Sequence, residues 1–351
     1  MSRKTFPQQT SVLIVGAGPA GLSAALALSR AGVDAVLIDA RKRIGHPVRC
    51  AEMTHRLLFE ILGVQPRPTW VRWVLGKSGL VVLNRPRLEE DLAGLCAEKG
   101  VGVFPETSLF GLSPFDGKGR KALVLHRGRA REVYAACVIA ADGMASATAR
   151  LAGLAAPLGP QKVASCAFQM ITGAKPEQES NPFLGPLPSY PFPLFYFWAL
   201  PQGRGRINAG ILVPGMDGGR ARFLLDRAIA NTRAFSGGRP GKFHCGLLPL
   251  GGPLKRLVGD GILVTGTAAR LVSVGGEGIL PAAFSGREAA RTVADHPGSS
   301  AEAQNLAAFP RRIKNLIDHY ADGWNRVEKG MPLGKSPWET LDGKNLSRFQ
   351  G

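Results

Sequence analysis

The sequence lacks the features that mark secreted, metal-binding and membrane-spanning chains. Its five cysteines are odd in number, widely spaced and never arranged as C-x-x-C, which argues against a disulfide framework and a zinc site. An uncharged run from Thr5 to Ser29 imitates a secretory signal, but three glycines interrupt it, and no other apolar run could span a bilayer. We therefore expect a soluble protein of a reducing compartment, cytoplasmic and either free or peripheral at a membrane surface.

Acidic residues are also scarce. Asp and Glu number 26 against 44 Lys and Arg, which gives a formal net charge of +18. Such an excess indicates contact with something anionic: nucleic acid, a phospholipid surface or a phosphorylated substrate. The basic residues are scattered and do not alternate with aromatic ones, so nucleic acid is the weakest of these partners. A basic, solvated surface without a partner is the alternative.

The first 40 residues have the pattern of a βαβ unit. An apolar strand (Ser11–Val15), a segment with alanine and leucine at helical spacing (Ala20–Arg30) and a second buried strand (Val33–Ile38) follow one another. The stretch GAGPAG, residues 16–21, lies between the first strand and the helix. The sheet is therefore expected to begin parallel.

GAGPAG is a G-x-G-x-x-G motif in the context that dinucleotide binding requires. Its glycines permit a tight turn and the close approach of a pyrophosphate, which the helix N-terminus attracts. A carboxylate about 20 residues further on, at the end of the second strand, takes ribose hydroxyls. The predicted nucleotide-binding residues are Gly16, Gly18, Ala20, Gly21 and Asp39. The motif alone allows FAD or NAD(P). The basic residues RKR at 41–43 could bind a 2′-phosphate, which leaves NADP open.

After residue 151 the composition changes. Residues 173–193 are rich in Pro, Gly, Ser and Asn and predict a loop. The strand-like runs FPLFYFWALP and GRINAGILVP, joined by QGRG, predict a hairpin. Residues 260–265 predict a last strand and Leu280–Ala294 a last helix. Sheet elements on both sides of this region indicate a discontinuous cofactor domain.

Two later glycine turns favour FAD. The ADG of AADGMASATAR (140–150) follows a strand, and VTGTAARLVSVGGEGI (264–279) leaves another strand through a glycine. Together with the N-terminal motif they resemble the FAD-binding fold of the p-hydroxybenzoate hydroxylase type. The resemblance implies an α/β protein with a Rossmann-like FAD-binding domain and an inserted antiparallel-sheet substrate domain. The expected bounds are 1–80, 84–155 and 255–295 for the discontinuous FAD-binding domain, 160–254 for the substrate-binding domain and 296–351 for a C-terminal helical tail.

Three further segments narrow the resemblance to one family. IGHPVRCAEM (44–53) resembles the PVRC-[AG]-E segment of the geranylgeranyl reductase family of flavoproteins, and NRPRLEEDL (84–92) resembles its R-x-x-F-D-x-x-L helix start. PLFYFWALP (193–201) is similar to the family's P-x-x-Y-x-W-x-F-P substrate motif, and only Leu200 departs from it. Such enzymes reduce isolated carbon–carbon double bonds in geranylgeranyl chains of lipids, quinones or pigments.

The resemblance assigns roles to residues of this chain. Further FAD contacts are implied for Cys50, Ala51, Arg85, Asp142, Gly143, Thr267, Gly278 and Ile279. The matching residues of the substrate motif are Pro193, Tyr196, Trp198 and Pro201, and substrate contacts are implied for the last three. At spacing two on a strand, Tyr196 and Trp198 point the same way, which suits a cavity wall or a plain hydrophobic face.

The chemistry needs a proton as well as a hydride. Reduced flavin gives hydride, and the second alkene carbon must receive a proton from a group near the ring. Cys50 is the first candidate, as proton donor or positioning group, and Glu52 the second. A small side chain buried against the flavin is an equally good interpretation of Cys50. An isoprenoid alkene has no charged handle, so its position must come from apolar burial.

The sequence departs from the family at three places. Thr267 replaces an Asp that holds the ribityl chain, and a hydroxyl forgoes a charge-assisted hydrogen bond, a difference of roughly 1 kcal/mol. Between Val272 and Gly276 the chain has only SVG, one residue fewer than the family's usual turn. The chain after residue 292 is also shorter than in many relatives.

The leading hypothesis is an FAD-dependent reductase of prenyl double bonds, with a prenylated or lipid-like substrate. The electron donor is expected to be NAD(P)H, bound transiently, or a ferredoxin, because no second dinucleotide motif is visible. A flavin monooxygenase or halogenase on the same fold is the nearest alternative, although a halogenase would carry W-x-W-x-I-P. A degenerate, non-catalytic prenyl-lipid binding protein is the alternative from another class, favoured by Thr267 and the shortened turn.

Overall fold

The computed structural model describes residues 5–48, 50–76, 78–173, 183–187, 195–232, 235, 237–296 and 303–331. Its strands, in chain order, are β1 (Gln9–Val15), β2 (Ala35–Ile38), β3 (Met53–His55), β4 (Val71–Leu75), β5 (Leu80–Leu83), β6 (Gly102–Phe104), β7 (Thr107–Leu112), β8 (Arg120–His126), β9 (Arg129–Ala140), β10 (Val163–Thr172), β11 (Phe183–Pro186), β12 (Tyr196–Pro201), β13 (Arg206–Pro214), β14 (Arg239–Pro240), β15 (His244–Pro249), β16 (Val258–Gly259) and β17 (Ile262–Val264). Its α-helices are α1 (Pro19–Arg30), α2 (Leu57–Leu62), α3 (Arg85–Glu98), α4 (Ala147–Leu151), α5 (Gly218–Ala230), α6 (Ile279–Ala294), α7 (Ala303–Leu306), α8 (Ala308–Arg312) and α9 (Lys314–Glu328).

A largely parallel sheet carries the N-terminal motif. Its central strands lie in the order β17, β9, β1, β2, β6, and each neighbouring pair is parallel. β8 pairs antiparallel with the first half of β9, and β7 with β8. The predicted βαβ unit is confirmed, because β1, α1 and β2 follow one another and Val12 pairs in parallel with Ala35. The α/β fold class predicted from the sequence is therefore correct.

An antiparallel sheet follows in the middle of the chain. Its strands run in the order β11, β12, β13, β10, with β14 and β15 on the other side of β10. The hairpin predicted across QGRG is confirmed, since β12 and β13 pair antiparallel on either side of residues 202–205. Helix α5 covers the back of this sheet with Ala221 and Leu225, which are both fully buried.

Two parts of the architecture were not foreseen. Residues 183–186 form the edge strand β11 within the predicted loop 173–193, because an edge strand tolerates Pro and Gly that would break a central one. A small antiparallel sheet, in the order β3, β5, β4, also escaped prediction. Met53 and Trp73 of that sheet pack on the hydrophobic cluster of the middle sheet. The rest of the predicted loop lies outside the described residues, and the predicted division into domains stays a prediction.

The described part of the C-terminal tail is helical and packs on the main core. Helices α7 to α9 follow one another, and Phe309, Leu316 and Tyr320 are buried in the same cluster as the parallel sheet. Residues 297–302 and 332–351 of the predicted tail lie outside the described residues. Among the helices that the structure describes, none combines the length and the apolarity needed to cross a membrane.

Helices α1 and α6 approach each other very closely at Gly286. A Cβ added at Gly286 would lie 2.1 Å from the carbonyl oxygen of Ala20, and one added at Gly266 would lie 2.9 Å from the Ala20 Cβ. These contacts hold the start of α1 against the middle of α6 and against the turn after β17. Gly266 and Gly286 are therefore both needed at the end of the sheet where the glycine-rich motif lies, because no larger residue would fit there.

Replacing Gly286 with Ala is expected to destabilise the protein. The added methyl group must push α6 away from Ala20, and such overpacking costs about 1–3 kcal/mol. Gly94→Ala, on helix α3, is the matched control, since its Cβ meets nothing within 4 Å and the change should stabilise by about 0.5–1 kcal/mol. Urea unfolding measures both. Equal free energies of unfolding for Gly286→Ala and the wild type would contradict the close contact.

Candidate functional site

The glycine-rich motif forms a cradle at the N-terminus of α1. Gly16 has a φ of +104°, and its Cβ would lie 2.4 Å from the carbonyl oxygen of Ala141. Gly21 packs with its Cβ position 1.8 Å from the carbonyl oxygen of Gly16. At Gly18, the N-cap of α1, an added Cβ would meet nothing within 4 Å. The space over Gly18 and the helix N-terminus thus fits a pyrophosphate.

A cavity of about 530 Å³ opens at this cradle. It brings together eight residues predicted to bind the cofactor: Gly16, Gly18, Ala20, Asp39, Arg85, Asp142, Gly143 and Thr267. These residues come from parts of the chain that are far apart in sequence. Their meeting at the carboxyl ends of β1, β2, β9 and β17 is the arrangement that the resemblance implies, and their individual roles stay predictions.

Asp39 lies at the end of β2 and is nearly buried. Its carboxylate accepts hydrogen bonds from the backbone N–H of Ala17 at 2.7 Å and of Arg41 at 2.8 Å, and from the Arg41 guanidinium at 2.8 and 2.9 Å. Burial alone would raise the pKa of Asp39, but the hydrogen bonds and charge of Arg41 and the Ala17 N–H lower it below its ordinary value. The carboxylate therefore stays charged, as a ribose acceptor should.

Two ion pairs connect Asp39 and Arg41 to Arg85 across the cavity wall. Glu89 is buried and joins Arg41, at 3.3 Å, to Arg85, whose Nε lies 3.0 Å from its carboxylate. Arg43 instead pairs with Glu90 near the surface. The first Arg of RKR is therefore engaged inside the site. Glu89 was assigned no role from the sequence, although an acidic residue four positions after Arg85 predicts the helical pair.

The ADG turn is built around Asp142. Its carboxylate accepts hydrogen bonds from the Ser146 hydroxyl at 2.6 Å and from the N–H and hydroxyl of Thr148 at 3.0 and 2.8 Å. Gly143 follows with a φ of +79°, where a side chain would be strained. Asp142 thus shapes the turn before α4, and both residues face the cavity.

The segment from β17 to α6 lines the other side of the site. Thr267 lies in a turn of 3₁₀-helix, and its Oγ1 is 3.8 Å from the Cβ position of Gly278, the N-cap of α6. Ile279 begins α6 and lies beside Pro19 and Arg85. Gly278 and Ile279 do not line the large cavity, and Ile279 borders a small neighbouring pocket instead. Thr267, Gly278 and Ile279, which are all predicted to contact FAD, therefore lie close together.

The shortened turn before Gly278 is closed by its own hydrogen bonds and by two other elements. The Gly276 N–H donates to the Ser273 carbonyl at 2.9 Å, and the Tyr196 hydroxyl donates to the Gly275 carbonyl at 2.8 Å. From helix α9, the Tyr320 hydroxyl donates to the Glu277 carboxylate at 3.3 Å. Glu277 also accepts from the Leu280 N–H at 3.0 Å and so caps α6.

Cys50 lies beside Arg85, and neither Cys50 nor Ala51 lines the large cavity. Burial lowers the pKa of Arg85, but the charge of Glu89 and the adjacent Cys50 thiol outweigh burial and raise it. Ala51 packs on the cluster of the middle sheet. Cys50 therefore lies where the FAD-binding part of the chain meets the middle sheet. The Glu52 carboxylate is turned toward Arg72 and the Arg85 N–H, and its role in proton handling stays a prediction.

The aromatic residues of the substrate motif lie on one face of β12. The rings of Tyr196 and Trp198 are 5.9 Å apart. Trp198 lies across Gly210 of the neighbouring strand, where a Cβ would be 2.1 Å from the ring. Pro201, at odd spacing from both, is buried and pairs with Ile207. Pro193 lies outside the described residues.

Asn208 links this aromatic face to Cys50 and was missed from the sequence. The Trp198 Nε1–H donates to its Oδ1 at 2.9 Å, and its Nδ2 donates to the Cys50 carbonyl at 3.2 Å. A single Asn within the apolar strand GRINAGILVP was the available signal, since a fully buried amide needs specific partners. The three residues form a continuous hydrogen-bonded chain.

Comparisons with known proteins agree with this geometry. Residues 9–65 match the model of an FAD binding domain family. Digeranylgeranylglycerophospholipid reductase 2 of Methanopyrus kandleri is 31% identical over 334 residues, which cover 89% of this chain and 81% of the relative. The digeranylgeranylglycerophospholipid reductase of Methanoculleus marisnigri is 33% identical over 304 residues, covering 80% and 75%.

Solved structures share the fold. A geranylgeranyl bacteriochlorophyll reductase-like protein of Thermoplasma acidophilum superposes with a TM-score of 0.85 at 24% identity, over 97% of this chain and 90% of that one. A myxobacterial chondrochloren halogenase gives a TM-score of 0.74 at 15% identity, over 94% and 84%. The cofactor and enzyme class predicted from the sequence are confirmed by the family match. The chain belongs to the geranylgeranyl reductase family of FAD-dependent oxidoreductases.

Proposed function

We propose that this protein uses FAD to reduce isolated carbon–carbon double bonds in the geranylgeranyl chains of a prenylated lipid. The observation that carries the substrate class is that both polar atoms of the aromatic face are occupied within the protein. The Tyr196 hydroxyl bonds to Gly275 and the Trp198 indole N–H to Asn208. Trp198 is 1% exposed, so it is the partly exposed Tyr196 ring beside it that would offer hydrocarbon surface to a ligand, which suits an isoprenoid chain without polar groups.

The residues of the cavity fit FAD. Gly18 and the N-terminus of α1 would hold the pyrophosphate, Asp39 the adenosine ribose, and Thr267 the ribityl chain. Gly278 and Ile279 would present backbone to the ring. When bound and reduced, FAD supplies the hydride. The α1 N-terminus contributes partial positive charge to the pyrophosphate, while Asp39 stays ionised because Arg41 and Ala17 bond to it.

Cys50 is the group that we propose delivers the proton. It is half-buried, and its backbone carbonyl accepts a hydrogen bond from Asn208, which also holds Trp198. The thiol and the aromatic face are thus fixed relative to each other. Burial, with Cys166, Cys50 and Glu277 nearby, raises the pKa of Tyr196 and keeps its phenol protonated, so the hydrogen bond to Gly275 persists at neutral pH.

We infer that electrons reach the site from NAD(P)H, bound transiently, or from a ferredoxin, since the chain carries a single G-x-G-x-x-G motif at a strand end. We also infer a peripheral association with an anionic membrane surface. The net charge of +18 supports that association, and a prenylated phospholipid substrate would be found there.

Anaerobic reoxidation tests the reductase activity directly. The FAD-loaded protein is reduced with dithionite, and a geranylgeranyl phospholipid is added. We expect the oxidised flavin spectrum to return as each reduced double bond gains two hydrogen atoms, detected by mass spectrometry. Flavin that is reoxidised by oxygen but by no prenyl lipid would contradict the proposal and favour a monooxygenase.

Replacing Cys50 with Ala is expected to slow this reoxidation about 100-fold, because a positioned proton donor contributes at least that factor. FAD binding should be retained. Cys245→Ala is the matched control, since Cys245 is also partly exposed but lies on β15 of the middle sheet. Unchanged single-turnover rates for Cys50→Ala would remove Cys50 from the chemistry.

Replacing Thr267 with Asp is expected to tighten FAD binding about fivefold. A charge-assisted hydrogen bond to a ribityl hydroxyl is stronger than a neutral one by roughly 1 kcal/mol. Thr267→Val, which removes the hydroxyl at similar volume, should weaken binding. Flavin fluorescence titrations measure both dissociation constants. If all three proteins bind FAD equally, residue 267 does not hold the cofactor.

A further inference from the structure

Glu52 has an unusual backbone conformation two residues after Cys50. Its φ is +65°, in the left-handed region that residues with a Cβ rarely adopt. Such conformations persist only where the surroundings enforce them, and they concentrate at functional sites. Of the residues with positive φ that carry a side chain, Glu52 alone among those described is fully buried, with 3% of its surface exposed.

This conformation directs the Glu52 backbone toward the Cys50 sulfur. The Glu52 N–H donates to Cys50 Sγ, with N and S 3.2 Å apart. On its other side, the Glu52 carbonyl accepts the N–H of Leu83 on β5 at 2.8 Å. Because the sulfur is the acceptor from Glu52, its own proton must point in another direction. The contact therefore fixes how the thiol is presented.

The Glu52 carboxylate explains why the strained backbone is kept. One oxygen accepts the Arg85 N–H at 3.1 Å, and the other pairs with the Arg72 guanidinium at 3.3 Å. Arg72 also donates to Asn84 at 2.8 Å and to Gln202 at the end of the β12–β13 hairpin. Burial raises the pKa of Glu52, although Arg72 and Arg85 lower it, and these partners supply the compensation that a buried carboxylate needs.

Cys50 is thus held from several directions. Its carbonyl is bonded to Asn208, and its sulfur to the Glu52 N–H, with the Arg85 guanidinium adjacent. Asn208 belongs to the middle sheet, and Arg85 begins α3 beside the FAD cavity. Glu52 touches both Cys50 and the backbone of Arg85. The relative position of thiol and cavity therefore depends on residue 52.

We propose that Glu52 is a positioning residue: its carboxylate, anchored by Arg72 and Arg85, holds a left-handed backbone whose N–H orients the Cys50 thiol toward the substrate. This inference rests on the proposed role of Cys50 in the reductase. It assigns the function of Glu52 to its backbone and anchor rather than to proton transfer by the carboxylate.

Three substitutions at Glu52 separate the effect of its backbone conformation from the effect of its carboxylate. Glu52→Gly loses the carboxylate but adopts positive φ without strain. Glu52→Ala loses the carboxylate and also disfavours the left-handed backbone. Glu52→Gln keeps an acceptor and the length of the side chain without the charge. Gly and Ala are the matched pair, since they differ by one methyl group and share the loss of the anchor.

The first readout is the rate at which iodoacetamide alkylates Cys50 in the FAD-loaded protein, resolved by peptide mass spectrometry. The Glu52 N–H holds the sulfur in one orientation, and losing that contact leaves the sulfur less often presented to the reagent, so Glu52→Ala should slow alkylation about threefold or more. Glu52→Gly and Glu52→Gln should stay within about twofold of the wild type. Cys245 provides the internal reference, and its rate should not change. Equal slowing by Gly and Ala, or no change in either, would overturn the proposal.

The second readout is a double-mutant cycle in the single-turnover reductase assay. Glu52→Ala should slow turnover in the wild-type background but have little further effect in Cys50→Ala, because it acts through the thiol. If the double mutant instead loses turnover rate by the product of the two single-mutant factors, the positioning role of Glu52 is overturned. A wild-type protein that reduces no prenyl lipid would refute the proposed function, whereas the alkylation pattern would still decide the role of Glu52.

Discussion

The site depends on how closely helix α1 approaches helix α6. Helix α1 begins at the glycine-rich motif, and its Ala20 carbonyl packs against Gly286 in the middle of α6, where there is no room for a side chain. A helix N-terminus carries partial positive charge and free N–H groups. The contact holds the N-terminus of α1 at the carboxyl ends of the parallel strands, where it opens onto the cavity together with the turns at Asp142 and Thr267.

The polar network on the cavity wall also connects the cavity to Cys50, which Asn208 of the middle sheet contacts. Arg41 and Glu89 connect Asp39 to Arg85, and Arg85 lies beside Cys50. Buried ion pairs of this kind contribute little net stability, because desolvation opposes the charge attraction. Their value here is geometric. They keep Asp39, Arg85 and Cys50, which come from separate segments of the chain, at fixed separations.

The sequence predicted the parts of this fold that follow a local rule. The βαβ unit and the hairpin at QGRG could be predicted from periodicity and turn residues. Of the eight cavity residues, Gly16, Gly18, Ala20 and Asp39 follow from motif spacing, and the resemblance to the family implies the other four. The edge strand at Phe183–Pro186 was not predicted, because its pairing with β12 is a tertiary contact that its Pro and Gly residues do not indicate. The role of Asn208 and the left-handed backbone of Glu52 were not predicted for the same reason. Both depend on partners that are distant in sequence, Cys50 for Asn208 and Arg85 for Glu52.

The turn at 273–276 joins regions of the chain that are synthesised at very different times. Tyr196 of the middle sheet holds it at Gly275, while helix α9 holds it through Tyr320 at Glu277 and through Trp324, whose indole N–H donates to the Val272 carbonyl at 3.4 Å. The last of these contacts forms only after the final turns of α9 have left the ribosome. The residues proposed to hold the adenosine, by contrast, all precede the ADG turn or lie in it. The segment before Gly278 and Ile279, which are proposed to face the flavin ring, therefore gains its last contacts only when α9 has been synthesised, whereas the adenosine end does not depend on that helix.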